Sequence, residues 1–190
     1  MSDTAKPDIA AEPLASEHTS NLPELFGQLG ISLLVTTYQA GKLISVRRDG
    51  NALNTHFCNF SKPMGLAADA SRFAIGTARE ISEYRNMPAI CSKLEPSKGS
   101  GGAHDACYVP RSAMVTGDID IHEMSFGGKG ELWFINTRFS CLCTLDGVSS
   151  FVPRWRPKFI ATLGPEDRCH LNGLGMLNGK PRYVTALGQS

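Results

Sequence analysis

The chain is short of long apolar runs, of helical periodicity and of charge of one sign, and each shortage removes a class of function. No stretch approaches the roughly 18 consecutive apolar residues of a membrane-spanning helix, so no membrane partner is expected. The start, "MSDTAKPDIAAEPLASEHTS", has neither the basic nor the apolar segment of a secretory signal, which predicts a cytoplasmic protein. Nineteen Lys and Arg face eighteen Asp and Glu, a formal net charge of +1, and no basic run stands out. Long-range attraction for nucleic acid is therefore not expected. The G-x-S-x-G elbow, the Walker loop, the dinucleotide fingerprint and the aromatic pattern of RNA-binding sheets are all missing.

What is present suits one sizeable core: 190 residues, 42% apolar and 19% charged. Six cysteines without an export signal are expected as free thiols. Cys141 and Cys143 stand two apart on a predicted strand, so both side chains turn to one face. A zinc site would show a second pair, which is absent, and two small buried residues are the expected reading.

Residues 1–21 are rich in Ala, Ser, Pro and Glu and predict a disordered tail; residues 22–190 are the folded domain. "NLPELFGQLGI" predicts one short helix. Beyond it the chain reads as short strands between Gly, Asn and Asp turns, with hairpin signals at "RRDGN", "FGGKGE" and "LNGKP". Four segments resemble one another: "LLVTT" at 33–37, "FAIGT" at 73–77, "WFINT" at 133–137 and "YVTAL" at 183–187. Another apolar run precedes each of the last three, and "GKLISV", "REISEY" or "SCLCTL" follows each of the first three. Candidate fourth strands are residues 54–60, 106–112 and 157–163, and the glycine-rich stretch 92–106 predicts a long loop.

A four-stranded unit of this kind buries its faces only by stacking on like units around an axis. The expected fold is an all-β, partial β-propeller of about four blades. Its first blade lacks the innermost strand and its last stops after two strands, which implies an incomplete chain or a protein partner that completes the ring.

In such a blade the innermost strand starts at the end of the channel where the second strand finishes. One mouth then gathers the loops 116–123 and 164–172 with the turns 77–80 and 136–140, and a rigid sheet holds binding groups there. Asp118, Asp120, His122, His170 and Asn172 enter this mouth, with Asp167 close in sequence. Arg79 and Arg138 follow equivalent strands and present guanidinium forks suited to a carboxylate or phosphate. The expected ligand is a small polar or anionic molecule or a peptide segment. Glu123, Asn172 and Asp120 offer oxygen donors for a divalent cation such as Ca, Mg or Zn, the basis of an alternative metal-dependent hydrolase. Asp118 and Asp120 read equally well as turn caps, and a hydrogen-bonded structural histidine is the plainer reading of His122 and of His170. "HEMSF" also departs from the H-E-x-x-H zinc signature at Phe126. Arg154 and Arg156, flanking Trp155, predict an exposed arginine face beside an aromatic.

The strings "ACYVPR", "VTGDIDIHE", "LWFINTRFSCLCTLD", "SFVPRWRPKFI" and "PEDRCHLNGL" closely resemble a bacterial family of conserved hypothetical proteins with propeller-like repeats, over about residues 22–188. Some members stand beside or are fused to tetratricopeptide regions. The resemblance implies a propeller fold and a chain that continues past "RYVTALG", and implies no particular reaction.

Overall fold

The computed structural model describes residues 16–94 and 104–188, and within them the chain is a succession of antiparallel sheets. Most of the expected tail and the middle of the glycine-rich loop lie outside the described residues. Helix α1, Leu22–Leu29, has Pro23 in its first turn, where a missing N–H matters least, and ends on Gly30 at φ 62°.

The first sheet is β1 (Leu33–Thr37), β2 (Lys42–Asp49) and β3 (Ala52–Asn59). The second is β4 (Leu66–Ala68), β5 (Arg72–Gly76), β6 (Glu80–Asn86) and β7 (Tyr108–Val115), with helix α2 (Pro88–Cys91) between β6 and β7. The third is β8 (Ile121–Phe126), β9 (Leu132–Asn136), β10 (Cys141–Thr144) and β11 (Val152–Trp155), and the fourth is the hairpin β12 (Leu171–Leu177) and β13 (Lys180–Ala186). The fold is predominantly β, and none of the sheets closes into a barrel. The four similar segments fall on β1, β5, β9 and β13. The expected hairpins form, and at "LNGK" both Asn178 and Gly179 take positive φ, as a two-residue turn between right-twisted strands requires.

Two strand assignments move. The fourth strand of the third sheet is Val152–Trp155, not 157–163. Pro157 has no N–H to give a ladder, and Ile160 N donates back to Pro157 O while Arg156 Nη1 donates to Ile160 O, folding the segment into a turn that buries Ile160. Strand β7 runs later than 106–112 and tolerates Pro110 because the register shifts between Glu83 and Tyr84.

The sheets pack face to face in chain order, and each junction has its own apolar cluster. Leu43 meets Phe73 and Ile75 between the first and second sheets. Ala67, Ala74 and Ile81 meet Ile121, Met124, Phe134, Cys141 and Cys143 between the second and third. Ile135 and Leu142 meet Ile160, Cys169 and Leu171 on the way to the fourth. The middle sheets are thus buried on both faces by alternate residues of one strand: Phe134 faces the second sheet and Ile135 faces the fourth. Cys141 and Cys143 share a face as expected, fully buried with sulfurs 3.4 Å apart; the contact with Cys141 and burial push the Cys143 thiol up, so it stays protonated.

The first strands of neighbouring sheets approach closely. Gly65 N donates to Ile121 O at 3.0 Å, and a side chain at Gly65 or Gly76 would stand 2.7–2.8 Å from Met124 or Ile121 carbons. Threonine hydroxyls stitch the other junctions: Thr36 Oγ1 donates to Met64 O at 2.8 Å and Thr137 Oγ1 to Leu171 O at 2.6 Å. At the far end Arg72 joins the second sheet to the third. It pairs with Asp69 and Glu83, lies 3.8 Å over the Phe126 ring and donates to Gly130 O.

Gly76→Ala is expected to cost about 1–3 kcal/mol, because the buried Ile121 and Met124 must give way. Arg72→Ala is expected to cost about 1–2 kcal/mol through the lost ring contact and ion pairs, and Arg85→Ala, whose pair with Glu83 is exposed, less than about 0.5 kcal/mol. Urea unfolding of the three variants against the parent checks the ranking.

Candidate polar site at one end of the sheets

The ladder between β8 and β9 continues past the strand ends, and this places the polar residues. Thr137 N donates to Asp120 O and Arg138 N to Ile119 O, both at 3.2 Å, so the loop leading into β8 is held against the turn leaving β9. Asp167 N in turn donates to Arg138 O at 2.9 Å, bringing the loop ahead of β12 onto the same turn. Arg138 is therefore the meeting point of two sheets through its backbone alone.

Its side chain adds to this. Nη2 reaches Asp118 Oδ2 at 3.0 Å and Asp120 Oδ2 at 3.5 Å, while Nε is buried without a partner. Beside it the His122 and His170 rings meet edge to face, 4.8 Å between centroids, and His170 Nδ1 lies 2.7 Å from Asp167 Oδ2. Burial foremost, then the neighbouring His170, holds the His122 pKa below 6.5, with Asp120 and Asp167 opposing. His122 is thus a neutral ring near pH 7.

Asp118, Asp120, His122, Arg138 and His170 come together as the sequence predicts, joined by Asp167. Asn172 stands exposed near the start of β12, without a side-chain hydrogen bond among the described residues. Arg79 is exposed; its carbonyl accepts from Thr116 N and Gly117 N at the root of the Asp118 loop, and its guanidinium has no partner among the described residues. Glu123 turns an oxygen back to Met124 N at 3.1 Å, and among the described residues no three His, Cys, Asp or Glu side chains gather as a metal group. The donor set of the metal alternative finds no support in this geometry. Arg154, Trp155 and Arg156 are all exposed, the arginine face beside an aromatic that the sequence predicts, and Arg154 Nε donates to Thr144 Oγ1 at 2.8 Å.

Two features of the site lay outside the sequence reading. Asn136 Nδ2, Arg138 Nε and Ser140 Oγ are the buried side-chain nitrogen and oxygen atoms without a hydrogen bond among the described residues, and all three belong to the turn 136–140. Only the run of polar residues in "NTRFS", set inside apolar strands, hints at it. Lys62, Asp120 and His170, each two residues ahead of Met64, His122 and Asn172, all take positive φ, at 47°, 50° and 45°. Sequence gives no sign of this, since none is glycine.

The chain matches the family described as Domain of unknown function (DUF4915) over residues 20–190. It belongs to that family. The match takes in α1 and every described strand of this DUF4915 chain, so the polar end lies wholly inside the family's domain. No curated protein and no solved structure matches it.

Because the folded pKa of His122 is depressed, its contribution to stability is full above pH 6.5 and is lost as pH falls through the folded value. Thermal melts from pH 7.5 to 5 are expected to show a fall in Tm that His122→Asn lessens; an identical pH profile in the variant contradicts the assignment.

Proposed function

We propose that the four sheets are successive blades of a β-propeller, the first without its innermost strand and the last with only two strands, and that its polar end binds a small polar ligand or peptide segment. Support for the architecture comes from the apolar clusters that join the sheets in series and from the contacts of β4 with β8 and of β8 with β12, the first strands of neighbouring sheets. A shared opening lies where such strands begin.

The observation that carries the binding reading is Arg138. A guanidinium whose Nη2 is held by two carboxylates, with Nε buried and unpartnered among the described residues, sits between two loops anchored to different sheets. Arg138 Nε can only donate, so this guanidinium asks for an acceptor from outside. The charge narrows the ligand. Asp118, Asp120 and Asp167 outnumber Arg138 three to one, and the nearby imidazole of His122 is neutral, so a ligand rich in hydrogen-bond donors fits better than a strong anion. Arg79, whose guanidinium has no partner among the described residues and which lies next to the same loop, supplies a fork for a single carboxylate or carbonyl at the edge. Free amino acids, amides, polyols and short peptides have this chemistry.

Differential scanning fluorimetry with those four classes, and with inorganic phosphate and acetate as contrasts, tests the reading. At about 100 times Kd a ligand is expected to raise Tm by about 5–10 °C. The shift is expected to vanish in Arg138→Ala and to shrink in Asp118→Asn, whose side chain is half exposed and whose fold is not at risk. No shift from any class, or an undiminished shift in Asp118→Asn and Arg138→Ala, removes the proposal.

A further inference from the structure

At the end of the second sheet away from Arg79, where β6 ends and β7 begins, lies a cleft of about 690 Å³. Met87, Val109 and Pro110 give it apolar surface, and Arg85, Asn86 and Arg111 give it hydrogen-bond donors; no carboxylate lines it. Backbone bonds fix its frame: Asn86 N donates to Ser71 O at 2.8 Å and Met87 N to Cys107 O at 2.7 Å. The Asn86 side chain is set as well, its Oδ1 accepting from Cys107 N at 3.0 Å, so that Nδ2 is left to donate.

The two arginines are presented to this cleft for different reasons. Arg85 is held through Nε alone, by Glu83 Oε1 at 2.9 Å, and its terminal nitrogens have no partner among the described residues. Arg111 is set apart by the register shift in β7. Arg85 stands opposite Val109 and Tyr84 opposite Pro110, and that register continued would set Arg111 opposite Glu83 as a cross-strand ion pair. The extra residue of the bulge puts Ser112 there instead, and the exposed Arg111 guanidinium has no partner among the described residues. The carboxylates of the adjoining segments are committed elsewhere: Glu83 to Arg72 and Arg85, and Asp69 to Ser71 and Arg72.

We infer that this cleft binds a small organic phosphate monoester. The phosphate oxygens accept from Arg85, Arg111 and Asn86 Nδ2, and the apolar body of the ester lies against Met87, Val109 and Pro110. The choice of phosphate follows from charge and shape. Two guanidinium forks bring two positive charges, and a phosphate monoester brings roughly 1.5–2 negative charges on three acceptor oxygens near pH 7. A single carboxylate would leave one of the two cations unmatched. The volume is that of a small-molecule site. This site does not rest on the ligand reading of the polar end, which lies at the opposite end of β6.

The test is isothermal titration calorimetry of the whole chain with phenyl phosphate at pH 7.5 and low salt. One saturable site is expected, with a Kd of about 1 mM or tighter, and with benzoate and inorganic phosphate each binding several-fold more weakly. Arg85→Gln and Arg111→Gln, both at exposed positions, are each expected to weaken phenyl phosphate binding about tenfold while Tm stays within about 2 °C of the parent. A Kd weaker than about 1 mM, equal binding of benzoate or of inorganic phosphate, or binding unaffected by both variants overturns the inference. So does binding that is lost in Arg138→Ala and kept in Arg85→Gln and Arg111→Gln, which would assign the anion to the polar end.

Discussion

The close approach of one sheet's first strand to the next governs the rest of this structure. Where β4 and β5 meet β8, the atoms that would be side chain are replaced by Ile121 and Met124 from the other sheet, and Gly65 N reaches across to Ile121 O. Only residues without a side chain permit that distance. The closeness lets a single layer of apolar side chains seal each junction, and it fixes where each loop emerges. A wider junction would leave Arg138 and Asp167 too far apart to share a backbone hydrogen bond.

The two ends of the sheets use this rigidity for different chemistry. At one end, carboxylates, imidazoles and a guanidinium are tied to one another and to backbone, and three buried polar atoms are left over in one turn. At the other, Arg72 clamps the second sheet to the third.

Most of the strand layout was legible in the sequence, because period-two apolar patterning and Asn-Gly or Asp-Gly turns are local signals. Fourteen residues of "DIDIHEMSFGGKGE" already announce a loop, a strand and a tight turn. The misplacement at 157–163 has a physical reason: "PKFIATL" is as apolar as a strand, and only the backbone bonds from Ile160 to Pro157 and from Arg156 to Ile160 show that it buries Ile160 as a turn. Pro110 within β7 likewise required a register shift that no pattern announces. The polar cluster was legible as a set, since position in each strand unit predicts which loops share an end. Its internal pairing was not. That Arg138 binds Asp118 and Asp120, and so is largely neutralised, depends on side-chain distances that strand periodicity does not encode.

The left-handed residues Lys62, Asp120 and His170 carry a further consequence. Such a conformation costs a residue other than glycine about 1–2 kcal/mol, and Asp and His bear it more readily than Lys. Here a cation, an acid and an imidazole occupy one backbone geometry in three successive sheets, and each side chain is delivered to the surface by the same turn. The identity of the group at that point is thereby uncoupled from the path of the main chain. Chemistry at this rim can diverge between relatives by exchange of single residues, with the scaffold beneath left as it stands.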